Sequence, residues 1–205
     1  MNDQQPQIKS LFGTPLWRLQ WPDSLSESLG RIAAKVEADV LSGEINSGFN
    51  KSNFLGSQSR RCPLRESPYL QDDERKVLLG MLRSVLPLKS NFMITTWINC
   101  SPIGSHNTAH MHPGAEISGV FYISVPPECG KIVFRDPRPQ SEMSQLQYKD
   151  GKIFKALAPR FPVSPAPGNL LLFPSWLMHQ VEPGGGKEGL RISMAFNVNG
   201  LREAE

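Results

Sequence analysis

The second half of the chain is divided into short runs of β-branched and aromatic residues, and turn signals separate these runs. The turn signals include Pro-Gly pairs at 113–114 and 167–168 and a glycine run at 184–186. Such runs are typical of β-strands, because branched and aromatic side chains pack well on a pleated surface. The predicted strands are 92–99, 116–125, 131–135, 152–156, 169–173 and 190–198. The pattern predicts a core built mainly from short strands.

The first part of the chain predicts two helices. Ser24 and Glu27 have the spacing of a capping box, apolar residues then recur at helical spacing, and Gly43 can end the helix. A second helical pattern begins at Ser67 and stops at Pro87. Two helices followed by many strands predict an α+β fold.

A chain of 205 residues can form one domain with a sizeable core. We therefore predict a single domain over 1–205, with no linker or internal repeat. In this prediction, 1–90 contain an edge strand near 9–21 and the two helices. The helices brace a barrel or a two-sheet sandwich formed by 91–200.

Composition excludes several classes of protein. The net charge is only +3 and the basic residues are scattered, so no nucleic-acid partner is expected. The longest apolar runs, such as 170–173, are far shorter than the roughly 20 residues of a membrane span. Cys62, Cys100 and Cys129 are odd in number and far apart, which argues against a disulfide framework or a zinc ribbon. With no leader-like pattern, we expect a cytoplasmic protein.

Three of the four histidines fall within 106–112. In an extended strand, His110 and His112 would direct both imidazoles to one face, and neutral imidazole binds iron, zinc, copper and nickel. An isolated pair of this kind fits a surface edge strand equally well. The later His179, which also follows an apolar strand, favours a metal site with three histidine ligands and open positions for other molecules.

Arg191 and Ser193 follow on the last predicted strand and share one of its faces. A guanidinium fork pairs bidentately with a carboxylate, and a neighbouring hydroxyl can add a hydrogen bond. Taken alone, Arg191 would be a surface arginine with a salt-bridge partner. Next to a metal site, the pair becomes an anchor for an acidic co-substrate.

These residues resemble the iron(II)/2-oxoglutarate-dependent oxygenase superfamily. Its motif is H-x-D/E, then a distant histidine, then an arginine about one strand later, sometimes as R-x-S. In this chain the order is His110, His112, His179, Arg191 and Ser193. A group of poorly characterised oxygenases of the superfamily is similar to further segments, namely 97–99 with Asn107, 110–122 and 134–138. The resemblance extends over about 90–198.

The resemblance implies a double-stranded β-helix, that is, a jelly-roll or cupin-like barrel. It implies that His110, His112 and His179 bind iron(II), and that Arg191 and Ser193 hold the far carboxylate of 2-oxoglutarate. The activity implied is that of a dioxygenase, which uses O2 to hydroxylate a substrate that the sequence does not identify. Further candidate site residues are Tyr122, which could reach the co-substrate, and Glu116, Asn99, Asn107 and Arg138.

The chain departs from the superfamily at one ligand. His112 stands where the motif has aspartate or glutamate. A site with three histidines carries one negative charge less, so its affinity for iron(II) and its redox tuning are expected to differ.

Two other interpretations remain open. Gly104, His110, His112 and Glu116 have the spacing of the first cupin motif, which would make Glu116 a fourth ligand of a metalloenzyme that does not use 2-oxoglutarate. The glycine expected further along is absent near Ile123, which speaks against this reading. The other interpretation is a metal-free barrel that binds a small molecule or a protein.

Two features outside the motif could serve the same site. The polar segment 44–66 is a candidate lid, because loops of this length are often functional. Arg138 could bind substrate. Exposed edge strands would allow a homodimer.

Overall fold

The computed structural model describes residues 12–46, 52–143, 158–186 and 189–201. The strand predicted at 152–156 lies outside the described residues. No described helix is both long enough and apolar enough to span a membrane.

Helices come first along the chain and strands dominate after them. The helices are α1 (Ser26–Leu41) and α2 (Asp72–Arg83). The strands are β1 (Trp17–Gln20), β2 (Asn53–Phe54), β3 (Ser57–Gln58), β4 (Cys62–Pro63), β5 (Leu88–Pro102), β6 (His106–His110), β7 (Ile117–Ser124), β8 (Ile132–Arg135), β9 (Arg160–Val163), β10 (Asn169–Pro174), β11 (His179–Val181) and β12 (Leu190–Leu201).

The strands form two antiparallel sheets. The major sheet has seven strands in the order β1-β10-β7-β12-β5-β3, and β4 pairs with β5 beside β3. The minor sheet has five strands in the order β2-β6-β11-β8-β9. The mainly β, α+β prediction is confirmed. In the described residues, however, the two sheets stay separate and keep free edges, so they do not close into a barrel.

Each sheet contributes to a different part of the core. One apolar cluster lies between the helices and the major sheet and includes Ile32, Leu78, Leu82, Phe121 and Phe196. Burying one such side chain stabilises the fold by about 1.5–3 kcal/mol. This cluster is how the two N-terminal helices brace the strands.

A second, smaller cluster packs the major sheet against the minor sheet. It includes Tyr122 and Phe173 of the major sheet and Ile132 and Phe134 of the minor sheet. The ring centroids of Phe134 and Phe173 are 4.9 Å apart in an edge-on arrangement, which is a favourable geometry for aromatic pairs. The strand β10 serves both clusters, because its alternate side chains point to opposite faces.

The start of α1 differs from the prediction. The predicted capping box of Ser24 and Glu27 is wrong, because a short 3-10 turn occupies Asp23–Leu25 and α1 begins only at Ser26. No side-chain hydrogen bond caps the helix. The predicted end is confirmed, since Gly43 follows the helix with φ of 82°, a conformation that glycine adopts without strain.

Helix α2 begins later than the sequence suggested. Ser67 precedes a proline and is extended, with ψ of 122°, which excludes it from the helix. The helix starts at Asp72, where the Glu74 carboxylate accepts a hydrogen bond of 2.7 Å from the backbone N–H of Gln71. Arg31 of α1 donates to the same carboxylate at 2.7 Å. Glu74 therefore fixes both the start of α2 and its contact with α1.

The segment 44–66 is more ordered than a loop. Its described part contains β2, which pairs with β6, and β3 and β4, which both pair with β5. These short strands tie the segment to both sheets, through β6 in the minor sheet and through residues 95–100 of β5 in the major sheet.

Candidate metal centre and co-substrate cavity

Three histidines meet at the end of the minor sheet. His110 ends β6 and His179 begins β11, and the two are direct partners in the antiparallel pair. His112 follows β6 by two residues, and its backbone N–H donates to the Ser175 carbonyl at 3.0 Å. The ring centroids are 4.4 Å apart for His110 and His179, 5.1 Å for His110 and His112, and 5.2 Å for His112 and His179. The cluster thus depends on strand pairing and one backbone anchor.

The ring nitrogens are arranged to bind a common ion. One potential ligand atom from each histidine lies within 4.8 Å of the other two. Nδ1 of His110 is 2.7 Å from the Thr108 carbonyl, and Nδ1 of His179 is 2.9 Å from the Leu177 carbonyl. Because a carbonyl only accepts, Nδ1 must donate in both rings, and each Nε2 of the neutral ring keeps its lone pair. Fixing the tautomer in this way is typical of metal-binding histidines.

Burial keeps the three imidazoles neutral. It lowers the pKa of His179 to about 3 and that of His112 to about 4, and repulsion between the histidines, with Arg61 adding to it at His112, lowers the pKa further. Burial also lowers the pKa of His110, although its hydrogen bond to the Thr108 carbonyl opposes the change. A metal ion requires the neutral ring, so the fold prepares the ligand form.

Arg191 on β12 forms a second polar centre in the same cavity. The residue is 5% exposed, and its Nη1 donates to the Gly130 carbonyl at 3.0 Å. That carbonyl belongs to a tightly packed turn, since a Cβ on Gly130 would lie 1.6 Å from the Glu182 carbonyl oxygen. Within the described parts of the chain, no carboxylate forms an ion pair with Arg191.

Two hydroxyl groups accompany this arginine. Ser193 is buried two residues further along β12, and Tyr122 is its cross-strand partner on β7. Burial raises the pKa of Tyr122 and lowers that of Arg191, while the two groups oppose each other's shift. Arginine stays protonated in proteins, so a nearly buried positive charge faces the cavity with neutral neighbours.

A cavity of about 300 Å³ between the two sheets joins both polar centres. Its volume is at the lower end of the range for small-molecule sites. Its lining combines the three histidines, Arg191, Ser193 and Tyr122 with apolar walls. The walls are formed by Val120, Ile132, Phe173 and Val181. The arrangement can hold a small acid with one end at the histidines and the other at Arg191.

The predicted candidates separate into two groups. Asn99 and Asn107 line the cavity, and Asn99 accepts a 2.8 Å hydrogen bond from the side chain of Gln58. Glu116 lies outside the histidine cluster, where its Oε2 accepts from the backbone N–H of Leu201 at 2.9 Å. Arg138 lies outside the cavity lining and is paired with Asp136 at 2.6 Å.

Some cavity residues carried no clear signal in the sequence. Arg61 lines the cavity, with its guanidinium carbon 4.6 Å from the ring centroid of Trp97. Trp97 in turn stacks on His112, with centroids 5.8 Å apart. Asn197 also lines the cavity and accepts from the Ser118 hydroxyl at 2.9 Å. Alternation along β5 and β12 could have located Trp97 and Asn197, because they lie on the face of Asn99 and Arg191.

The sequence matches a protein family over the strand-rich part of the chain. Residues 95–197 match the profile of a family described as "Putative 2OG-Fe(II) oxygenase". The matched range includes all three clustered histidines, Arg191 and Ser193. None of the curated proteins matches the sequence.

Solved structures of 2-oxoglutarate-dependent enzymes have a similar fold. A prolyl-4-hydroxylase from Pseudomonas putida is 16% identical, with a TM-score of 0.59 and 94% of each chain covered. A Trichoplax adhaerens prolyl hydroxylase in complex with a hypoxia inducible factor peptide fragment is 13% identical, with a TM-score of 0.60, and 89% of this chain and 82% of that chain are covered. HygX from Streptomyces hygroscopicus, with nickel and 2-oxoglutarate bound, is 16% identical, with a TM-score of 0.56 and coverage of 91% and 83%. The expected double-stranded β-helix is confirmed.

Proposed function

Because the chain belongs to the family of 2OG-Fe(II) oxygenases, we propose that its three clustered histidines bind iron(II) and that Arg191 binds 2-oxoglutarate. Family membership makes the protein an iron(II)- and 2-oxoglutarate-dependent oxygenase that acts with O2 on a substrate. The assignment of roles to residues is what we propose here.

The donor set fits iron(II). His110, His112 and His179 offer three neutral imidazole nitrogens in one cluster, and imidazole is a suitable ligand for iron. In two of the rings the hydrogen bond from Nδ1 to a backbone carbonyl fixes the orientation. Three ligands from the protein leave positions for the co-substrate and O2.

The proposal rests on the buried charge of Arg191, which no carboxylate among the described residues neutralises. An isolated charge in a protein interior costs several kcal/mol unless a partner compensates for it. The Gly130 carbonyl and the Cys129 side chain are both neutral partners, and they satisfy only part of the five guanidinium N–H groups. The far carboxylate of 2-oxoglutarate would supply the missing negative charge in bidentate geometry.

The other cavity residues position the co-substrate and exclude water. The Ser193 hydroxyl donates to the same carboxylate, and the Tyr122 hydroxyl lies on the neighbouring strand within the same lining. Ile132 and Phe173 provide apolar walls along the carbon chain. When bound, iron(II) and 2-oxoglutarate would supply the electrons that activate O2 for oxidation of the substrate.

His112 replaces a negatively charged ligand by a neutral one at the same place in the motif. It occupies the place of the usual carboxylate, and the cavity lining in the described ranges contains no aspartate or glutamate. The dianionic co-substrate would therefore be the main negative charge near the metal. We expect that iron binds more tightly in its presence than alone, because each ligand reduces the electrostatic cost of the other.

The proposal is tested by loading the purified protein with iron(II) under anaerobic conditions and recording its absorption spectrum with and without 2-oxoglutarate. We expect about one iron per chain and a new absorption band that requires both components. On admission of O2, 2-oxoglutarate should be converted to succinate. A wild-type protein that binds iron but neither binds nor consumes 2-oxoglutarate would contradict the assignment and return the cupin-like interpretation.

A further inference from the structure

The cavity carries more positive charge than the co-substrate requires. Two arginines line it, Arg191 and Arg61, and no described residue of its lining is acidic. They have different surroundings, since Arg191 lies beside Gly130 and Arg61 lies over Trp97. The proposed contacts of 2-oxoglutarate occupy the metal and Arg191, and Arg61 has no anionic partner among the described residues.

The guanidinium of Arg61 is oriented by an aromatic ring. Its carbon is 4.6 Å from the centroid of Trp97, which is 4% exposed and itself stacks on His112. A guanidinium that stacks on an aromatic face keeps its N–H groups free at the edges, where they can form a fork with an anion. Arg61 is therefore presented next to the histidine cluster.

The backbone around Arg61 is fixed on both sides. Before it, the N–H of Ser59 donates to the Ile98 carbonyl at 3.0 Å, and the N–H of Ile98 donates to the Ser59 hydroxyl at 2.9 Å. After it, Cys62 pairs with Thr96 on β5. The position of the guanidinium thus follows from sheet pairing, which is the preorganisation that a binding group needs.

Arg61 is exposed and forms no ion pair within the described part of the chain. Other arginines near the site differ in this respect. Arg138 is paired with Asp136, and Arg135 donates to the side chain of Gln180 at 2.7 Å. An unpaired guanidinium at a cavity that lacks acidic groups favours an anion from outside the chain.

We infer that Arg61 binds an anionic group, a carboxylate or a phosphate, of the substrate that this enzyme oxidises. The inference rests on the proposed function, because it takes Arg191 and the metal as occupied by 2-oxoglutarate. The cavity of about 300 Å³ leaves room for only a small group once the co-substrate is bound. Trp97 contacts both Arg61 and His112, so the oxidised C–H bond would lie close to the anionic group of the substrate.

The test uses matched pairs of small probes on the protein loaded with iron(II) and 2-oxoglutarate without O2. The pairs are butyrate with butyramide, and propyl phosphate with propanol. Iron(II) broadens the proton NMR signals of a probe that binds near it, so a titration yields both affinity and proximity. The absorption band of the 2-oxoglutarate complex, followed in the same samples, shows that the probe has not displaced the co-substrate.

In the wild type, at least one anion should bind about tenfold more tightly than its neutral partner. Arg61→Ala should remove that preference, and Arg61→Lys should restore part of it, because lysine keeps the charge but loses the fork. Arg60→Ala is the matched control, since Arg60 is also exposed but does not line the cavity. It should leave the affinity unchanged.

Three results would overturn the inference. The first is a wild type that binds iron and 2-oxoglutarate but shows no preference for either anion, which leaves the proposed function intact. The second is an Arg61→Ala variant that keeps the preference. The third is an Arg61→Ala variant that loses 2-oxoglutarate itself, which would place Arg61 in the co-substrate site. A wild type without 2-oxoglutarate binding would instead remove the proposed function and the inference together.

Discussion

His110 and His179 are cross-strand partners in the β6–β11 pair, and their ring centroids are 4.4 Å apart. Each ring contacts the backbone carbonyl of the residue two positions before it, Thr108 for the first and Leu177 for the second. The two proposed ligands therefore have the same local geometry on facing strands. Sites built on paired strands are held more accurately than sites on loops.

The first prediction concerns metal content. His110→Ala or His179→Ala should abolish stoichiometric binding, because two imidazoles cannot hold the ion in the place of three. His106→Ala is the matched control, since His106 packs against Phe54 outside the cluster. Metal analysis after gel filtration measures the outcome. Full occupancy in the double variant of His110 and His179 would exclude this site.

The second prediction separates the oxygenase from the cupin-like interpretation. Glu116→Gln should leave the metal content nearly unchanged, because the Glu116 carboxylate contacts the Leu201 N–H and not the histidine cluster. Loss of a charged ligand would instead weaken binding substantially. The metal dissociation constants of this variant and the wild type decide between the two. A large increase of the metal dissociation constant in Glu116→Gln would favour the cupin-like site.

The third prediction concerns the pH dependence of the metal-free protein. The pKa of His112 is about 4 and that of His179 about 3 in the fold, whereas both are near 6.5 in the unfolded chain. Below pH 6.5 the unfolded state therefore binds more protons, so these groups reduce the free energy of unfolding as the pH falls from 6.5 towards 4. Above pH 6.5 both states are neutral and the effect disappears.

Thermal unfolding of the apoprotein across this pH range measures the effect. A His179→Gln variant should show a smaller loss of stability on acidification than the wild type, because one of the shifted groups is gone. An equal loss of stability on acidification in the two proteins would mean that the fold does not hold the His179 imidazole neutral.

Much of the fold could be predicted from the sequence because its strongest signals are local. Strand composition and Pro-Gly turns located β7, β8 and β10 to within about one residue, and β12 to within about three. The short strands β9 and β11 were missed, since three or four residues carry little periodicity and Pro162 weakens the pattern of β9. The separate sheets in place of a barrel depend on long-range pairing, which no local pattern encodes. The single domain over 1–205 stays a prediction.

The candidate site could be predicted where two residues share a strand face. His110 and His112, and likewise Arg191 and Ser193, were grouped by alternation alone, and the structure brings both pairs to one cavity. Arg61 was not distinguished from other loop residues, because its role depends on the pairing of β3 and β4 with β5. Such contacts between distant segments have no signature in the sequence around the residue.

The fourth prediction concerns the hydroxyl groups near Arg191. Ser193→Ala and Tyr122→Phe should each weaken the binding of 2-oxoglutarate by about 1 kcal/mol, the typical contribution of one hydrogen bond. Neither should change the metal content, because both hydroxyls lie outside the histidine cluster. Calorimetric titration of the iron(II) forms provides the affinities. An unchanged affinity for 2-oxoglutarate in both variants would mean that Arg191 binds its carboxylate without help from the two hydroxyl groups.

Arg191 is proposed to bind the far carboxylate of 2-oxoglutarate. Anaerobic titration of 2-oxoglutarate into the iron(II) forms of the wild type and of Arg191→Ala tests this role directly. Full metal occupancy is expected in both proteins. The variant should bind 2-oxoglutarate more weakly by about 3–6 kcal/mol, since a bidentate pair makes two charge-assisted hydrogen bonds. Arg191→Lys should recover part of the affinity. The control Arg138→Ala, which changes an arginine outside the cavity, should keep the wild-type affinity. An Arg191→Ala variant that binds 2-oxoglutarate as tightly as the wild type would contradict the account.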